Sequence, residues 1–578
     1  MTIDADRIAA DVAAIARCTA TPGAGATRPT MSPAWADARA YFIGQAEACG
    51  AEVRVDAAGN VHARPAALGW EEPAWLVGSH LDSVPHGGDY DGVIGVVLGL
   101  ELLRSARDEG IDRLAVEAAV FAEEEGPEFG LGMIGTRAWV GALGAAELSD
   151  LRNSDGLSYS QAGAEYGVRA DALAADRLDP SRYLGLVELH IEQGPGLWRR
   201  GQRVGVVRSI AGRRQYRVTV GGEANHAGAT AMPDRRDALA AAAAMVVELE
   251  SLASEIDQDA VVTVGRLVAD PNAVNVIAGR VVFTIDFRAP HDAALTRGDA
   301  SIRQRLTDIG ARRSVDVAIE QTEAIAAQPM SGRLVEALSQ EAARCGVDDC
   351  PVMVSGALHD AAVLAPVMPT AMAFVASRDG VSHNPDEFSR IEDVAHAAEI
   401  VERLVRRPTL ERVNAMARAD VVAALGGAFE HSPWVIERAC DMRPFADLDA
   451  LVTACRDVLG SAEEDERLGL IRAHPDLVGR LAKAGQLTAA STHEQRAAGL
   501  EDVCDDEAHR FEGLNAAYRE RFGFPFVICA REHRKEAILM AMPVRLENDR
   551  ETEAATAIDE ILKIARLRLA DMIWENDS

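Results

Sequence analysis

The pattern of apolar residues changes near Arg406, and this change constrains the fold more than any other feature of the sequence. In the first two hundred residues, short apolar runs typical of buried strands alternate with helical patterns. That order favours an α/β sheet with helices packed on its faces. Pro408 ends the helix that begins near Glu392, and only helical patterns follow it. A chain of 578 residues also exceeds what one hydrophobic core usually organises, so we expect several domains.

A second change of pattern divides the first part of the chain. From about Gly212 the sequence reads as alternating strands around one long helix, which is typical of a smaller α+β domain with an open sheet. The α/β pattern resumes near Pro329. We therefore predict an α/β domain over residues 1–211 and 328–407, an α+β domain inserted at 212–327, and an all-α domain over 408–578.

Charge and composition exclude several classes of partner. The formal net charge of −31 repels phosphate backbones, so nucleic acid is not an expected partner. The N-terminal residues read as an amphipathic helix rather than an export signal, and the apolar runs at 92–103 and 238–247 are short and interrupted or flanked by charge, so no membrane span is expected. The eight cysteines are scattered without a CxxC pair, which suits reduced thiols. We expect a cytoplasmic protein.

Four segments place histidines and acids where predicted strands end: GSHLDSVPHGGDYDG, FAEEEGPEFG, VELHIEQGP and VSHNPDEF. Taken singly, a histidine that ends a strand is more often structural, and a triple glutamate is usually a solvated turn. Glu123, Glu124 and Glu125, however, follow the strand VEAAVF at the end where α/β sheets place their ligands. Imidazole and carboxylate groups are the ligands of Zn²⁺, Mn²⁺ or Co²⁺ in hydrolases, and a carboxylate can bridge two such ions. The segments predict a hydrolase metal site.

These segments, together with GEANHAG, closely resemble the M20 metallohydrolases, and within them the branch that cleaves N-carbamoyl and ureido groups. The resemblance covers about residues 5–407. It implies two divalent ions, Zn²⁺ or Mn²⁺, one held by His80, Asp91 and His190 and the other by Asp91, Glu125 and His383. Asp91 would then bridge the ions, and Asp82 would orient His80 through its second ring nitrogen.

The same resemblance implies roles for residues around the metals. Glu124 matches the general base that deprotonates the attacking water and then protonates the leaving nitrogen. His226 matches a histidine that reaches across a dimer interface to the oxyanion, so the insert would be both a lid and the contact of a homodimer. Recognition of a small ureido substrate would fall to Gln193, Asn275, Arg288 and His359, the arginine being suited to a carboxylate. Leu358, where the family more often has glycine, and GATAM, in place of GTTPM, depart from the family pattern.

Four segments of the C-terminal part, FEHSPWVIERA, LIRAHPDLVGRLA, LTAASTHEQRAAGL and FGFPFVICARE, resemble the family that decarboxylates 2-oxo-4-hydroxy-4-carboxy-5-ureidoimidazoline (OHCU). This resemblance covers about residues 420–573. Because the substrate's own imine and carbonyl groups stabilise the carbanion left by CO₂, no cofactor is expected. The resemblance implies His474 as the acid/base group, titrating near neutral pH, and Glu494 as a hydrogen-bonding partner of the ring. It also implies a pocket lined by Pro475, Ser491, Gln495 and the backbone from Phe526 to Ala530, with Arg531 as an anion partner.

The two resemblances together predict a bifunctional enzyme of purine (urate) breakdown. Its first domain would be an allantoate amidohydrolase that releases ammonia and CO₂, and its last domain would make allantoin, with a separate enzyme opening the ring in between. One alternative keeps the metal site but hydrolyses an N-carbamoyl-L-amino acid or ureidoglycolate. The other makes the C-terminal domain a non-catalytic assembly module, in which His474 only ends a helix and Glu494 is a solvated helix residue.

Overall fold

The computed structural model describes residues 3–478, 491, 494, 498–500 and 503–574. The chain divides into two compact units, residues 1–405 and 406–578. In the described part, no helix is long and apolar enough to cross a membrane.

A nine-stranded mixed sheet forms the centre of the first unit, with the strand order β1-β2-β4-β3-β5-β14-β6-β12 and β13 pairing with β6. Its strands are β1 (Ala51–Val55), β2 (Val61–Pro65), β3 (Ala74–His80), β4 (Val116–Phe121), β5 (Tyr183–Ile191), β6 (Val204–Ile210), β12 (Gln328–Pro329), β13 (Val352–Ser355) and β14 (Thr370–Val375). The inner strands β4, β3, β5 and β14 run parallel, and β1, β2 and β12 pair antiparallel at the two sides.

Helices cover both faces of this sheet. They are α1 (Ala5–Ala16), α2 (Pro33–Ala48), α3 (Val93–Asp108), α4 (Ile134–Trp139), α5 (Ala145–Asp150), α6 (Tyr159–Gly163), α7 (Gly196–Arg200), α10 (Gly332–Arg344), α11 (Asp360–Leu364) and α12 (Ile391–Val405). α3 lies so close to one face that its Gly95 and Gly99 meet Ser79 and Ala118. On the opposite face, Leu76 and Phe121 pack with residues of α4 and α11. The strands β3, β4, β5 and β14 are therefore buried along their whole length, as the continuous apolar runs predict.

The direction of the inner strands brings distant residues together. Because β3, β4 and β5 are parallel, their carboxyl ends meet at one edge of the sheet. His80 is the last residue of β3, Glu123 to Glu125 follow β4, and His190 lies one residue before the end of β5. This edge is where open α/β sheets bind their ligands.

A second, five-stranded sheet occupies the segment between β6 and β12, with the order β11-β7-β10-β8 and β9 also pairing with β10. Its elements are β7 (Gly212–Gly221), α8 (Ala238–Ile256), β8 (Val261–Thr263), β9 (Leu267–Asp270), β10 (Arg280–Ala289), α9 (Asp292–Arg312) and β11 (Asp316–Ile325). Burial alternates along β10, and its buried residues pack with those of α8 and α9. The apolar run VVTVGRLVA, whose pattern suits a single strand, forms the two short strands β8 and β9.

Within its described residues, the second unit has only helices as regular elements, which confirms the helical character expected after Arg406. They are α13 (Leu410–Ala415), α14 (Arg418–Leu425), α15 (Trp434–Ala439), α16 (Leu448–Ser461), α17 (Glu464–Ala473), α18 (Asp505–Phe522), α19 (Lys535–Leu546) and α20 (Arg550–Met572). The helical pattern VNAMARADVVAALGGAF at 413–429 is broken at Met416 and Ala417, whose backbones are extended. The helical pattern THEQRAAGLEDV at 492–503 lies mostly outside the described residues.

The close packing of β3 on β4 makes a testable prediction at Gly78. A Cβ there would lie 2.2 Å from the carbonyl oxygen of Ala119, so Gly78→Ala should force the two strands apart and lower the free energy of unfolding by at least about 1–3 kcal/mol. Gly44 is the matched control, because its Cβ would meet nothing within 4 Å on the exposed side of α2. Gly44→Ala should stabilise by about 0.5–1 kcal/mol. Denaturant unfolding of both variants measures this, and equal effects would contradict the packing described.

Candidate functional site

Five side chains from four separate segments converge at the carboxyl edge of the large sheet. One imidazole nitrogen or carboxylate oxygen from each of His80, Asp91 and His190 lies within 4.8 Å of the others, and the same holds for Asp91, Glu125 and His383. Asp91 belongs to both sets. The family resemblance predicts that these five residues lie together, and the structure brings all five into one cluster.

The two oxygens of Asp91 face different imidazoles. Oδ1 lies 3.0 Å from Nε2 of His190 and 3.7 Å from Nε2 of His80. Oδ2 lies 3.3 Å from Nε2 of His383, and that same nitrogen is 3.5 Å from Oε1 of Glu125. One carboxylate therefore stands between two groups of donors, as a bridging ligand does.

Backbone carbonyls fix which ring nitrogen of each buried histidine faces the cluster. Nδ1 of His80 donates to the carbonyl oxygen of Asp82 at 3.0 Å, and Nδ1 of His190 donates to that of Ile191 at 3.0 Å. Both rings thus turn Nε2 toward the cluster, where it can serve as a metal ligand. The carboxylate of Asp82 lies 3.9 Å from Nδ1 of His80 and accepts instead from the backbone N–H of Glu125 at 3.0 Å. Asp82 thus meets the second ring nitrogen of His80, and it does so through its main-chain carbonyl.

The cluster fits a pair of divalent cations in both chemistry and spacing. Zn²⁺ binds imidazole nitrogen and carboxylate oxygen at about 2.0–2.2 Å, so neighbouring ligand atoms of a tetrahedral ion stand roughly 3.4 Å apart. Four donor pairs of the cluster, three of them with Asp91 and one between His383 and Glu125, are 3.0–3.7 Å apart, and all donor atoms of each set lie within 4.8 Å of one another. Gly92 keeps the space beside His80 open, because a Cβ there would lie 2.5 Å from the imidazole ring. The φ of Gly92, 68°, also suits glycine.

The site concentrates negative charge. Burial, together with Glu125 and Asp360, holds the pKa of Glu124 well above its usual range, and burial beside Asp91 raises the pKa of Glu125 to about 7. Burial opposes the charge on Asp91 as well, but His190, His383 and His80 outweigh it and hold the pKa of Asp91 well below its ordinary value. Divalent cations are the groups that would compensate such an excess of carboxylates.

The three consecutive glutamates after β4 make different contacts. Glu124 is buried with Oε2 3.7 Å from Nε2 of His80, and Glu125 faces His383. Glu123 turns away and accepts from the backbone N–H groups of Glu128 and Phe129 at 3.1 and 3.0 Å. Glu123 therefore braces the turn after β4, while Glu124 and Glu125 face the cluster.

Two of the expected substrate-binding residues lie against the cluster. Gln193 donates from Nε2 to Oδ2 of Asp91 at 2.8 Å, while its Oε1 is buried and has no hydrogen-bond partner among the described residues. The ring of His359 lies edge-on to that of His190, with centroids 4.4 Å apart, and its Nε2 contacts Oγ of Ser355 at 2.9 Å. Burial, reinforced by His190, holds the pKa of His359 well below its usual value, so this imidazole is neutral.

The expected residues of the insert lie apart from the cluster. His226 is exposed, and its Nδ1 accepts from the N–H groups of Gly228 and Ala229 at 3.0 and 3.2 Å, which leaves Nε2–H as a donor toward solvent. Asn275 is also exposed. It lies beside His226, because its backbone carbonyl accepts from the N–H of Ala227 at 3.0 Å. No hydrogen bond or ion pair in the described part of the chain joins either residue to the five clustered groups.

Arg288 links the insert to the large sheet. Its Nε donates to Oδ1 of Asp286 at 2.9 Å, and Nη1 donates to the carbonyl oxygen of Gly356 at 2.7 Å, between β13 and His359. Arg288 thus lies near the segment that carries His359, with its guanidinium already partly occupied by protein groups.

A second polar cluster lies inside the helical unit. Arg568 is buried and donates from Nε and Nη2 to the two oxygens of Glu494 at 2.7 and 2.8 Å. Its Nη1 donates to Oε2 of Glu430 at 2.8 Å, which also accepts from Oγ of Ser491 at 3.1 Å. A small cavity of about 30 Å³ adjoins this cluster, lined by His474, Pro475, Leu477, Ser491, Glu494, Phe526, Val527, Ile528, Ala530, Ile564 and Arg568.

His474 differs from the expectation of titration near neutral pH. It caps the C-terminal end of α17 and its Nδ1 donates to the carbonyl oxygen of Leu470 at 3.0 Å, so Nε2 carries the lone pair, and no described residue donates to it. Burial, aided by the positive charge of Arg568, lowers the pKa of His474 to about 4. The imidazole is therefore neutral at pH 7 and can accept a proton there.

Sequence reasoning missed three residues and misplaced one. Arg568 and Glu430 hold Glu494 and Ser491, and Glu387 contacts the turn that carries Asp91. Arg568 could have been noticed because it lies on the buried stripe of α20 with Ile564, Ala565 and Leu569. Arg531, the expected anion partner, instead pairs with Asp571 at 2.7 Å. Gln495 lies outside the described residues.

Comparison with known proteins agrees with both clusters. Residues 76–407, more than half of the chain, match the Peptidase family M20/M25/M40. The chain belongs to the M20 family. Residues 414–570 match the OHCU decarboxylase family, so this M20 enzyme also carries an OHCU decarboxylase domain.

Individual relatives of the M20 part carry two kinds of name. The N-carbamoyl-L-amino-acid amidohydrolase of Paenarthrobacter aurescens is 36% identical over 403 residues, which cover 70% of this chain and 97% of the relative. The allantoate amidohydrolase of Bacillus subtilis is 35% identical over 377 residues, 65% of this chain and 90% of the relative. An amidase of the hydantoinase/carbamoylase family from Burkholderia multivorans superposes with a TM-score of 0.64 at 34% identity, covering 70% of this chain and 97% of the amidase.

The ionisation of His474 can be tested by NMR on protein labelled at histidine Cε1, with His474→Asn used to assign the resonance. Because burial lowers the pKa of His474 to about 4, its resonance should not move between pH 8 and pH 5.5. A titration midpoint between pH 6 and 7 would contradict the buried, neutral imidazole described here.

Proposed function

We propose that the M20 domain is a dinuclear-metal allantoate amidohydrolase and that the helical domain is an active OHCU decarboxylase. The hydrolase would cleave a ureido C–N bond and release ammonia, CO₂ and a ureido acid. The observation that carries the hydrolase proposal is the carboxylate of Asp91, shared between two sets of imidazole and carboxylate donors. Two cations, Zn²⁺ or Mn²⁺, held there would polarise the ureido carbonyl and lower the pKa of the attacking water.

The residues around the cluster supply the proton transfers. Glu124 accepts a proton from the attacking water and delivers it to the leaving nitrogen, a role that its position beside Glu125 and His80 supports. The Nε2–H of His226 would donate to the oxyanion. The unpaired Oε1 of Gln193 is available to a substrate N–H group, and Arg288 would pair with the substrate carboxylate.

The fused domain favours allantoate over the alternative substrates. Identity does not separate them, because the relatives named for N-carbamoyl-L-amino acids and for allantoate are 36% and 35% identical to this chain. An OHCU decarboxylase makes allantoin, and hydrolytic opening of that ring gives allantoate. A decarboxylase and an allantoate amidohydrolase on one chain would therefore serve the same breakdown route, with one ring-opening reaction between them.

In the decarboxylase, the neutral His474 would accept the hydroxyl proton of OHCU through Nε2 and return a proton to the ring carbon after CO₂ leaves. No cofactor is needed, because the imine and carbonyl groups of the substrate take up the electron pair of the broken C–C bond. Glu494 is held by two bonds to Arg568, so its orientation toward the cavity is fixed.

Two variants should separate the activities, each serving as the control of the other. Glu124→Gln removes the proton carrier of the hydrolase and should lower kcat for allantoate by about 100-fold or more, leaving decarboxylation unchanged. His474→Asn should do the reverse. Steady-state assays of both reactions on each variant measure this. A His474→Asn chain that decarboxylates as fast as the parent would support the assembly-module alternative.

Substrate preference distinguishes allantoate from its rivals. We expect kcat/KM for allantoate to exceed that for an N-carbamoyl-L-amino acid or ureidoglycolate by at least about tenfold, since pocket differences of a few groups are worth about 1–3 kcal/mol. All three activities should vanish after chelation and return with Zn²⁺ or Mn²⁺. A higher kcat/KM for an N-carbamoyl amino acid would overturn the assignment of substrate while leaving the metal chemistry in place.

We also propose a homodimer formed through the insert. Apolar side chains are exposed along its edge, where Val261 is 54%, Val268 50% and Val274 104% accessible, and Val247 on α8 is 68% accessible. Exposed apolar residues on an edge strand are typical of a surface that pairs with another chain. His226 and Asn275 lie in the same domain, apart from the metal ligands of their own chain, which supports donation of His226 to a neighbouring subunit.

Hybrid dimers test that donation. A dimer purified by two different tags, with Glu124→Gln on one chain and His226→Ala on the other, contains one site with both residues intact if His226 acts across the interface. It should then show about half of the parent activity, whereas each variant alone is inactive. A hybrid dimer as inactive as the two single-variant dimers would show that His226 acts in the site of its own subunit.

A further inference from the structure

A buried carboxylate outside the ligand set joins the two loops that carry ligands. Glu387 is only 5% exposed. Its Oε1 accepts from the backbone N–H groups of Tyr90 and Asp91 at 3.0 and 3.1 Å. Its Oε2 accepts from Oγ of Ser382 at 2.9 Å, and Ser382 is the neighbour of His383. Glu387 therefore ties the turn before α3 to the loop after β14.

Ser382 extends this contact to the ligand atom itself. Its hydroxyl lies 3.1 Å from Oδ2 of Asp91, the oxygen that faces His383, as well as 2.9 Å from Glu387. The single hydroxyl proton is thus shared between the candidate bridging ligand and the carboxylate behind it. The backbone N–H of Asp91 is therefore bound by Glu387 directly, and its carboxylate is bound through Ser382.

The turn that carries Asp91 is also shaped around Glu387. A Cβ on Gly88 would lie 2.1 Å from the carboxyl carbon and from Oε1 of Glu387. Only glycine leaves room for the carboxylate at this place, because any side chain would push it off the N–H groups of Tyr90 and Asp91. Tyr90 packs edge-on against Phe388 with ring centroids 5.9 Å apart, which adds an apolar contact between the same two loops.

We propose that Glu387 is a positioning residue for the cation pair: with Ser382 and Gly88, it holds Asp91 and His383 in the geometry that binds metal. The inference rests on the proposed two-cation hydrolase and concerns cation affinity rather than the chemical step. Loss of the carboxylate removes the acceptor of the part-buried N–H of Tyr90 and the buried N–H of Asp91, and the turn is then free to relax away from the ligand geometry. Removing an outer-shell partner of this kind typically weakens metal binding by about 10–100-fold.

The test is calorimetric titration of the chelated, full-length protein with Zn²⁺, repeated with Mn²⁺. Glu387→Ala should weaken cation binding by about 10–100-fold. Glu387→Gln keeps an oxygen acceptor for the two N–H groups and should recover most of that loss. Glu341→Gln is the matched control, because Glu341 is an equally buried carboxylate that pairs with Arg344 and Arg403 on α10 and α12. Unchanged affinity in Glu387→Ala would overturn the inference.

Gly88→Ala approaches the same carboxylate from the other side. If Gly88→Ala acts by displacing Glu387, the single variant should bind the cations more weakly. In the double variant with Glu387→Ala, it should cause no further loss of affinity. Ser382→Ala, which leaves the backbone contacts in place, gives a milder loss and keeps the test usable if Glu387→Ala does not fold. Independent, additive losses would contradict the inference. A parent protein that binds fewer than two ions would instead contradict the proposed function.

Discussion

Asp91 turns one carboxylate oxygen toward His80 and His190 and the other toward His383, and the hydrolase site is arranged around this contact. The parallel strands supply two of the imidazoles, while Asp91 and His383 come from loops. Backbone carbonyl groups orient the buried rings of His80 and His190. Gln193 and Ser382 donate hydrogen bonds to Oδ2 of Asp91, the oxygen that faces His383. The remaining carboxylates nearby would repel one another without a compensating cation.

The two sites of the chain handle charge in opposite ways. The M20 cluster gathers more carboxylates than its own cationic groups can neutralise and so suits divalent ions. In the decarboxylase domain, Arg568 satisfies Glu494 and Glu430 within the protein, and burial keeps His474 neutral. That site therefore compensates part of its carboxylate charge with a side chain of its own.

The sequence predicts best what depends on strand ends. A histidine or acid at the end of a buried strand is visible as a pattern, and parallel strands bring such ends together, so the convergence of His80, Glu125 and His190 could be foreseen. Which group makes a contact could not: the sequence does not show that Asp82 reaches His80 through its main-chain carbonyl. The burial depth of a single histidine before a proline is also invisible in the sequence, which is why His474 is expected there to titrate near neutrality. Arg568 is different, because the apolar stripe of α20 on which it lies could have indicated its burial.

The most direct test of this account is a crystal structure of the metal-loaded protein with anomalous scattering recorded at the metal edge. The account predicts two peaks roughly 3.5–4 Å apart, one on each side of the carboxylate of Asp91, the first beside His80 and His190 and the second beside Glu125 and His383. A single peak at full metal loading, or ions bound away from Asp91, would contradict it.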